Sequence, residues 1–366
     1  MDGLAETVLD TVSRYGMIET GDLVLAAVSG GPDSICMLDL LVGLRERLDI
    51  ELRVVHVDHV TRDGESAADA RFVETVASRY GLECETIRAD VAGQRRNGES
   101  FEDAARRVRY AAFEDAVRRS GAGTVATAHT ADDQAETVLM RIVRGTGPRG
   151  MTGIPPVSVR AGFRVVRPLI DVWRNDIETY LRDRSLDVRR DITNETECCL
   201  RNKIRLRLIP TLEKEFNPAV KTALVRMANL SREEQSFLES IAREMAEPVA
   251  DVRDERRVTV RRPEFRRLPK PVARRGIMGW AEHAVGRPWR GTAESVDAIC
   301  DLLMSDTTTG QTCFVDGLSV RLEYDCGIIE SAMYIEQPDK LEPVGVDVPG
   351  RVEIPWTGRA ITVRYR

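Results

Sequence analysis

Ser29-Gly30-Gly31-Pro32-Asp33-Ser34 puts two glycines, a proline, a carboxylate and two hydroxyls into one short turn. The glycines let the backbone turn tightly and approach a ligand closely. Pro32 falls at the first turn of a helix, where its missing N–H costs little. The N–H groups around Ser34, with the helix dipole, favour an anion above the turn. A carboxylate beside a phosphate repels it unless a cation lies between them. Asp33 therefore reads as a ligand for Mg²⁺ bridging phosphate oxygens. The turn lacks the Gly-Lys-Ser/Thr ending of the common P-loop, so its phosphate chemistry does without that lysine. A lone Gly-Gly would be a plain strand–helix turn; the full pattern favours a nucleotide.

Four other clusters carry candidate chemistry. In "HVDH", His56, Asp58 and His59 could join His129 as metal ligands, as in a metallohydrolase. Their spacing is not that of a dedicated zinc site, and hydrogen bonds to a nucleotide are the favoured reading. In "HTADDQAET", Asp133 and Glu136 share one helical face. They are either dipole partners at a helix start or ligands for a cation or amine. In "ARRVRYAAF", Arg106 and Arg109 lie one turn apart beside Tyr110, as a solvated face or as phosphate contacts. In "RNKIRLRLIP", Arg201, Lys203, Arg205 and Arg207 make a basic run in which helical periodicity sets Arg201 beside Arg205.

The charge balance sharpens these readings. The net charge is −6, yet 48 of the 53 basic residues are arginine and the first lysine is Lys203. An anion in the first half must be held by arginine, backbone N–H groups, a helix dipole or a metal. Residues 251–290 hold twelve basic against five acidic residues. Local charge governs phosphate contact, so an acidic chain can still bind nucleic acid. Seven scattered cysteines without a Cys-x-x-Cys pair suggest reduced thiols in a cytoplasmic protein. The acidic start lacks a signal-peptide core, and no apolar run approaches a membrane span.

Alternating elements must position these clusters. Strands are expected at 23–28, 52–57, 84–88, 124–129 and 163–167, and helices at 34–48, 65–80, 100–120, 131–144 and 172–184. That order predicts an α/β domain with a mainly parallel, doubly wound, Rossmann-like sheet. Ligands then gather at the carboxyl ends of the strands, where the turn at Ser29, the histidines and the acidic pair converge. The run around 146–156 reads as a long loop. Helical character covers 202–216, broken near Pro210, then 218–245 and 293–304, and 314–323 has strand composition. A mostly helical C-terminal domain with short strands is expected.

The turn at Ser29 resembles the PP-loop of the N-type ATP pyrophosphatases. With "HVDH", "ESFEDAARRVRYAAF", "ATAHTADDQAETVLMRIVRGTG", "VVRPL" and "RNKIRLRLIP", the set resembles the tRNA(Ile)-lysidine synthase family, closely over about residues 20–220 and loosely over 220–333. The resemblance implies an enzyme that uses ATP and Mg²⁺ to adenylate the wobble cytidine of the CAU-anticodon isoleucine tRNA. The ε-amine of free L-lysine then displaces AMP to give lysidine. It implies that Ser29, Gly30, Gly31, Pro32, Asp33 and Ser34 hold ATP, with His56 and His129 nearby. Asp33 and Arg109 would be catalytic, and Asp133 and Glu136 would face the lysine. Arg201, Lys203, Arg205 and Arg207 would meet tRNA.

The implied domains are 1–217 for ATP pyrophosphatase chemistry and 218–333 for tRNA. Residues 334–366 read as an extended tail, the start of a missing or truncated C-terminal domain. Asp58 stands where the family usually has Asn, and Val60-Thr61-Arg62 replaces Gly-Leu-Arg. A homodimer is one assembly this reading admits. The alternative is another PP-loop tRNA-modifying enzyme such as a thiolase, against which the lack of Cys-x-x-Cys argues.

Overall fold

The unbroken apolar run Leu23–Ala27 forms β1, at the centre of a six-stranded sheet. The structure is a computed structural model. It describes residues 3–58, 65–96, 98–189, 200–254, 256–286, 288–289, 291–332, 350–354 and 359–363. On one side of β1 lie β2 (Glu51–Asp58) and then β3 (Cys84–Arg88). On the other lie β4 (Thr124–Ala126), with β5 (Val157–Arg160) at the edge beyond β6 (Phe163–Val166). All pair in parallel except β5, which is antiparallel to β6. An apolar strand without polar alternation fits a sheet covered on both faces. Val24 and Ala26 belong to one buried cluster and Leu25 to another.

Helices cover both faces. Preceding the sheet is α1 (Gly3–Arg14), and α2 (Pro32–Leu48) follows the glycine turn. Next come α3 (Glu65–Arg79) and α4 (Phe101–Ser120), the latter capped by Ser100 Oγ accepting from Asp103 N. Then α5 (Ala131–Arg144), the short α6 (Pro148–Met151) and α7 (Arg174–Asp183) follow. Ile35, Leu38 and Leu41 of α2 pack in the larger cluster, and Tyr110, Phe113 and Ala116 of α4 in the opposite one.

Residues 200–215 form one helical stretch: α8 (Leu200–Lys203), a π turn at Ile204–Leu208 and α9 (Ile209–Glu215). The sequence suggested a break near Pro210; the helix widens instead. Pro210 has no N–H for the Leu206 carbonyl, and the Ile209 N–H reaches back to Ile204 O.

The chain divides into two compact units, Met1–Gln235 and Ser236–Arg366, and the division falls within α10 (Val220–Ala246). The second unit corrects the expectation of a mostly helical domain with short strands. It holds α11 (Arg262–Phe265), α12 (Lys270–Val285) and α13 (Ala293–Met304). These accompany five antiparallel strands: β7 (Ala250–Asp254), β8 (Arg257–Arg261), β9 (Thr309–Val315), β10 (Leu318–Glu323) and β11 (Cys326–Ser331). Their order is β7-β8-β11-β10-β9. The arginines of β8 obscured it in sequence, yet Val258 and Val260 alternate inward and are fully buried. The expected strand at 314–323 is a hairpin, because Asp316 and Gly317 both take positive φ (45° and 82°) as a tight turn requires. A separate pair joins β12 (Gly350–Ile354) and β13 (Arg359–Val363).

One polar knot holds α2, α3 and α7 in place. Asp39 of α2 is 4% exposed and accepts hydrogen bonds from Tyr80 Oη at 2.6 Å and Tyr180 Oη at 2.5 Å. Arg184 Nε pairs with it at 2.7 Å. Removing the carboxylate strands two hydroxyls and a guanidinium. Asp39→Ala should therefore lower the unfolding free energy by about 3 kcal/mol in a urea titration.

Candidate active site

A cavity of about 1500 Å³ opens over the carboxyl ends of β1, β2 and β4. This is where the sheet order diverges to either side of β1, the usual place for a ligand in such folds. The turn after β1 shapes one wall. Gly30 has φ +89°, and a Cβ there would lie 3.3 Å from the Phe72 ring, so only glycine fits without strain. Gly31 caps α2 through backbone alone, with Pro32 in the first turn. Ser34 Oγ donates to Gly31 O at 2.9 Å and accepts from Ser29 N at 3.1 Å. The turn is thus braced from within.

Acids and arginines alternate across the cavity. Asp33 Oδ2 accepts from Arg174 Nη2 at 3.2 Å, while its Oδ1 is buried without a partner. Burial raises the Asp33 pKa above the ordinary carboxylate value; Arg174 opposes and Asp133 adds to the rise. Asp133 divides its oxygens. Oδ2 accepts from Thr130 N at 2.9 Å in a capping box at the start of α5. Oδ1 faces Arg201 at 3.0 Å, Arg205 at 3.4 Å and Arg174 at 3.9 Å. Burial resists its ionisation, but Arg201, His129, the Thr130 N–H and Arg174 outweigh that, and its pKa is lowered. Glu136, 2% exposed, accepts from Arg201 Nε at 2.9 Å and Arg205 Nε at 2.5 Å. Three carboxylates face three guanidiniums.

The histidines behave differently from one another. His56 Nδ1 lies 2.8 Å from Val28 O. A carbonyl only accepts, so Nδ1 carries a proton and Nε2 is an acceptor when the ring is neutral. Burial pushes the His129 pKa down, Asp133 opposes, and Arg167, Arg201 and Arg106 lower it further; its ring is neutral at pH 7. Among the described residues no three His, Cys, Asp or Glu side chains gather as metal ligands. His59 and Val60-Thr61-Arg62 lie outside the described residues.

The structure brings most candidates together. Ser29, Gly31, Pro32, Asp33 and Ser34 line the cavity, as do His56, Asp58, Arg109, His129 and Asp133. Glu136 lies behind them, reached through Arg201 and Arg205, which also line it. Lys203 and Arg207 are exposed outside the lining. Arg174 escaped sequence reasoning. Its only signal was its place at the first turn of α7, where its backbone N–H also donates to Asp132 Oδ2 at 2.8 Å. Lys221 completes that side, donating to Asp132 Oδ1 at 3.1 Å.

This arrangement has counterparts. Residues 5–212 match the model of a PP-loop domain. A tRNA(Ile)-lysidine synthase from Caldanaerobacter subterraneus subsp. tengcongensis is 41% identical over 69% of this chain and 54% of its own length. One from Geobacter sulfurreducens is 36% identical over 96% of this chain and 73% of its own. The chain therefore spans about half of the first relative and nearly three quarters of the second. Among solved structures, the U34-tRNA thiolase NcsA from Methanococcus maripaludis aligns with a TM-score of 0.50 at 19% identity. That match covers 62% of this chain and 78% of the thiolase, and shows a shared fold. With a PP-loop match over more than half its residues and a 36% identical relative covered along most of its length, the chain belongs to the tRNA(Ile)-lysidine synthase family.

Proposed function

We propose that the chain ligates free L-lysine to C2 of the wobble cytidine in the CAU-anticodon isoleucine tRNA, with ATP as activator. One observation carries the reading: a single cavity joins the glycine turn after β1, a buried carboxylate oxygen without a partner, and Asp133, with Glu136 directly behind it. The cytidine C2 oxygen attacks the α-phosphorus of ATP, and pyrophosphate leaves. The lysine ε-nitrogen then bonds to C2, the C2–O bond breaks, AMP departs and the nitrogen gives up a proton.

In this reading the turn from Ser29 to Ser34 holds the phosphates with backbone N–H groups and hydroxyls. The partnerless Oδ1 of Asp33 fits a cation that takes one carboxylate and completes its shell with phosphate oxygens. Mg²⁺ held there would offset charge on the departing pyrophosphate. Arg109 is assigned to the reacting phosphate. His129, neutral, and His56 serve as hydrogen-bonding groups beside the nucleotide. Asp133 and Glu136 receive the lysine ammonium, which joins or replaces the guanidiniums of Arg201 and Arg205. Residues 218–333, with the basic stretch 251–290, are assigned to tRNA, and Lys203 and Arg207 to its phosphates. Substrates of this kind place the reaction in the cytoplasm. Among the described residues no helix is long and apolar enough to cross a membrane.

Asp33→Ala should abolish pyrophosphate release while leaving the thermal midpoint within a few degrees. Undiminished release would remove Asp33 from the phosphate site. Glu136→Gln should raise the lysine concentration for half-maximal rate about tenfold or more, since a charge-assisted contact is lost. Adenylation of tRNA without lysine should persist, as read by trapped radiolabelled AMP on tRNA. Equal loss of both steps would assign Glu136 to the ATP site instead. Mass spectrometry of the wobble nucleoside separates a lysine adduct from a thiolated base.

The lowered pKa of Asp133 has a stability consequence with a definite sign. Its folded value lies below the ordinary 3.8. The ionised carboxylate therefore stabilises the fold at neutral pH, and that contribution fades as pH falls below about 3.8 toward the folded pKa. Asp133→Asn should cost about 2 kcal/mol at pH 7. The gap from the unsubstituted chain should narrow in calorimetric scans on the acid side; a gap independent of pH would contradict the charge pairing.

A further inference from the structure

Tyr110 stands at the centre of a second cluster of charge, and there every charge has the same sign. The Arg160 guanidinium carbon lies 4.2 Å from the centre of its ring and that of Arg106 lies 5.4 Å away. Arg167, 2% exposed, reaches the Tyr110 hydroxyl at 3.4 Å. Its other bonds run to the carbonyls of Pro155 and Val165 and to Ser158 Oγ, and its Nε is buried without a partner. Burial lowers the Arg167 pKa, Tyr110 opposes, and Arg106 and Arg160 lower it further. Burial and then Arg106 likewise lower that of Arg141. Among the described residues no carboxylate pairs with Arg106, Arg141, Arg160 or Arg167. The contrast with Arg174, Arg201 and Arg205, each held by acids, is complete.

Same-sign charges crowded into a partly buried site are costly unless an anion joins them. The Tyr110 ring is 8% exposed and guanidiniums lie against it, so it offers no face for a base to stack on. Phosphate oxygens suit the planar fork of arginine. Position separates two phosphate sources. Arg106 and Tyr110 line the cavity, while Arg160, exposed like Arg106, extends from β5, three strands from β1 and the glycine turn. Three strand spacings are about 14 Å. The two guanidiniums flank one ring, so a single phosphate can meet both where Arg160 reaches in from the sheet edge, the position a backbone phosphate takes when the next nucleotide of a strand enters the cavity.

We propose that Arg106, Arg160 and Arg167 around Tyr110 form a subsite for a backbone phosphate of the RNA strand next to the nucleotide that enters the cavity. The inference rests on the tRNA reading above. It adds a specific anchor on the catalytic unit itself, separate from the basic stretches at 201–207 and 251–290.

The test compares the full chain with Arg160→Gln, Arg106→Gln and the double variant, with Arg118→Gln as an exposed-charge control. Binding of a transcribed CAU-anticodon tRNA is measured across salt concentrations, and ATP binding without tRNA by calorimetry. Each of the two variants should weaken tRNA binding about tenfold near 0.15 M salt and reduce the magnitude of the salt slope by about 0.7–0.9. ATP affinity should stay with that of the control. Weakened ATP binding with an unchanged tRNA slope would assign the cluster to the nucleotide and overturn the proposal. So would variants that match Arg118→Gln in every measurement. A parent chain that binds no tRNA at any salt would instead sink the functional reading on which the proposal rests.

Discussion

Buried carboxylates require cations, and in this chain that requirement organises the site. Asp133 and Glu136 sit buried at the start of α5, where an unpaired charge would be costly. Their partners, Arg201 and Arg205, come from more than sixty residues further along. Helical spacing alone aligns two side chains four apart, so both guanidiniums reach the same acidic pair. The segment 200–215 is thereby held to α5, and Ile204, Ile209 and Leu224 pack with Ala135, Val138 and Leu139 beneath the ion pairs. The π turn lies inside this contact, where Pro210 withholds one donor.

Much of the first unit was legible because its signals are local. Apolar runs such as Leu23–Ala27 are short enough for strands, and Ile35, Leu38 and Leu41 repeat at helical spacing. The parallel sheet follows from their alternation. Other features depend on partners distant in sequence. Nothing near Arg174 marks it as the residue that meets Asp33, 141 positions earlier. Strand β5 is short and half polar, and it exists because Ala161 and Gly162 both adopt positive φ in the turn that pairs it with β6. Helix α1, absent from the expected elements, has a plain amphipathic pattern in Ala5, Val8 and Val12. In the second unit, charge density obscured alternation: β8 reads first as a basic run and only then as a strand.

The cavity has two electrostatic characters, which meet at His129. Near β1 and α5, acids and arginines balance nearly one for one. Around Tyr110, under the other end of the crevice, arginines stand together without acids. With no lysine before Lys203, the cationic side chains around Tyr110 are all guanidiniums. Guanidinium stays charged under all ordinary conditions. The cluster around Tyr110 therefore stays charged, while the pKa values of Asp33, Asp133 and His129 are displaced from ordinary ones.

Asp133 uses one oxygen to finish a helix and the other to face the arginines. That double employment constrains any redesign of the pocket. An amide at this position can retain the cap while erasing the charge, whereas a longer acid keeps the charge but misplaces the cap. Glu136 carries no such backbone duty, since its described bonds all run to arginine side chains. Substitution at Glu136 therefore disturbs ion pairs alone, whereas substitution at Asp133 disturbs a helix start as well, although the two sit one helical turn apart.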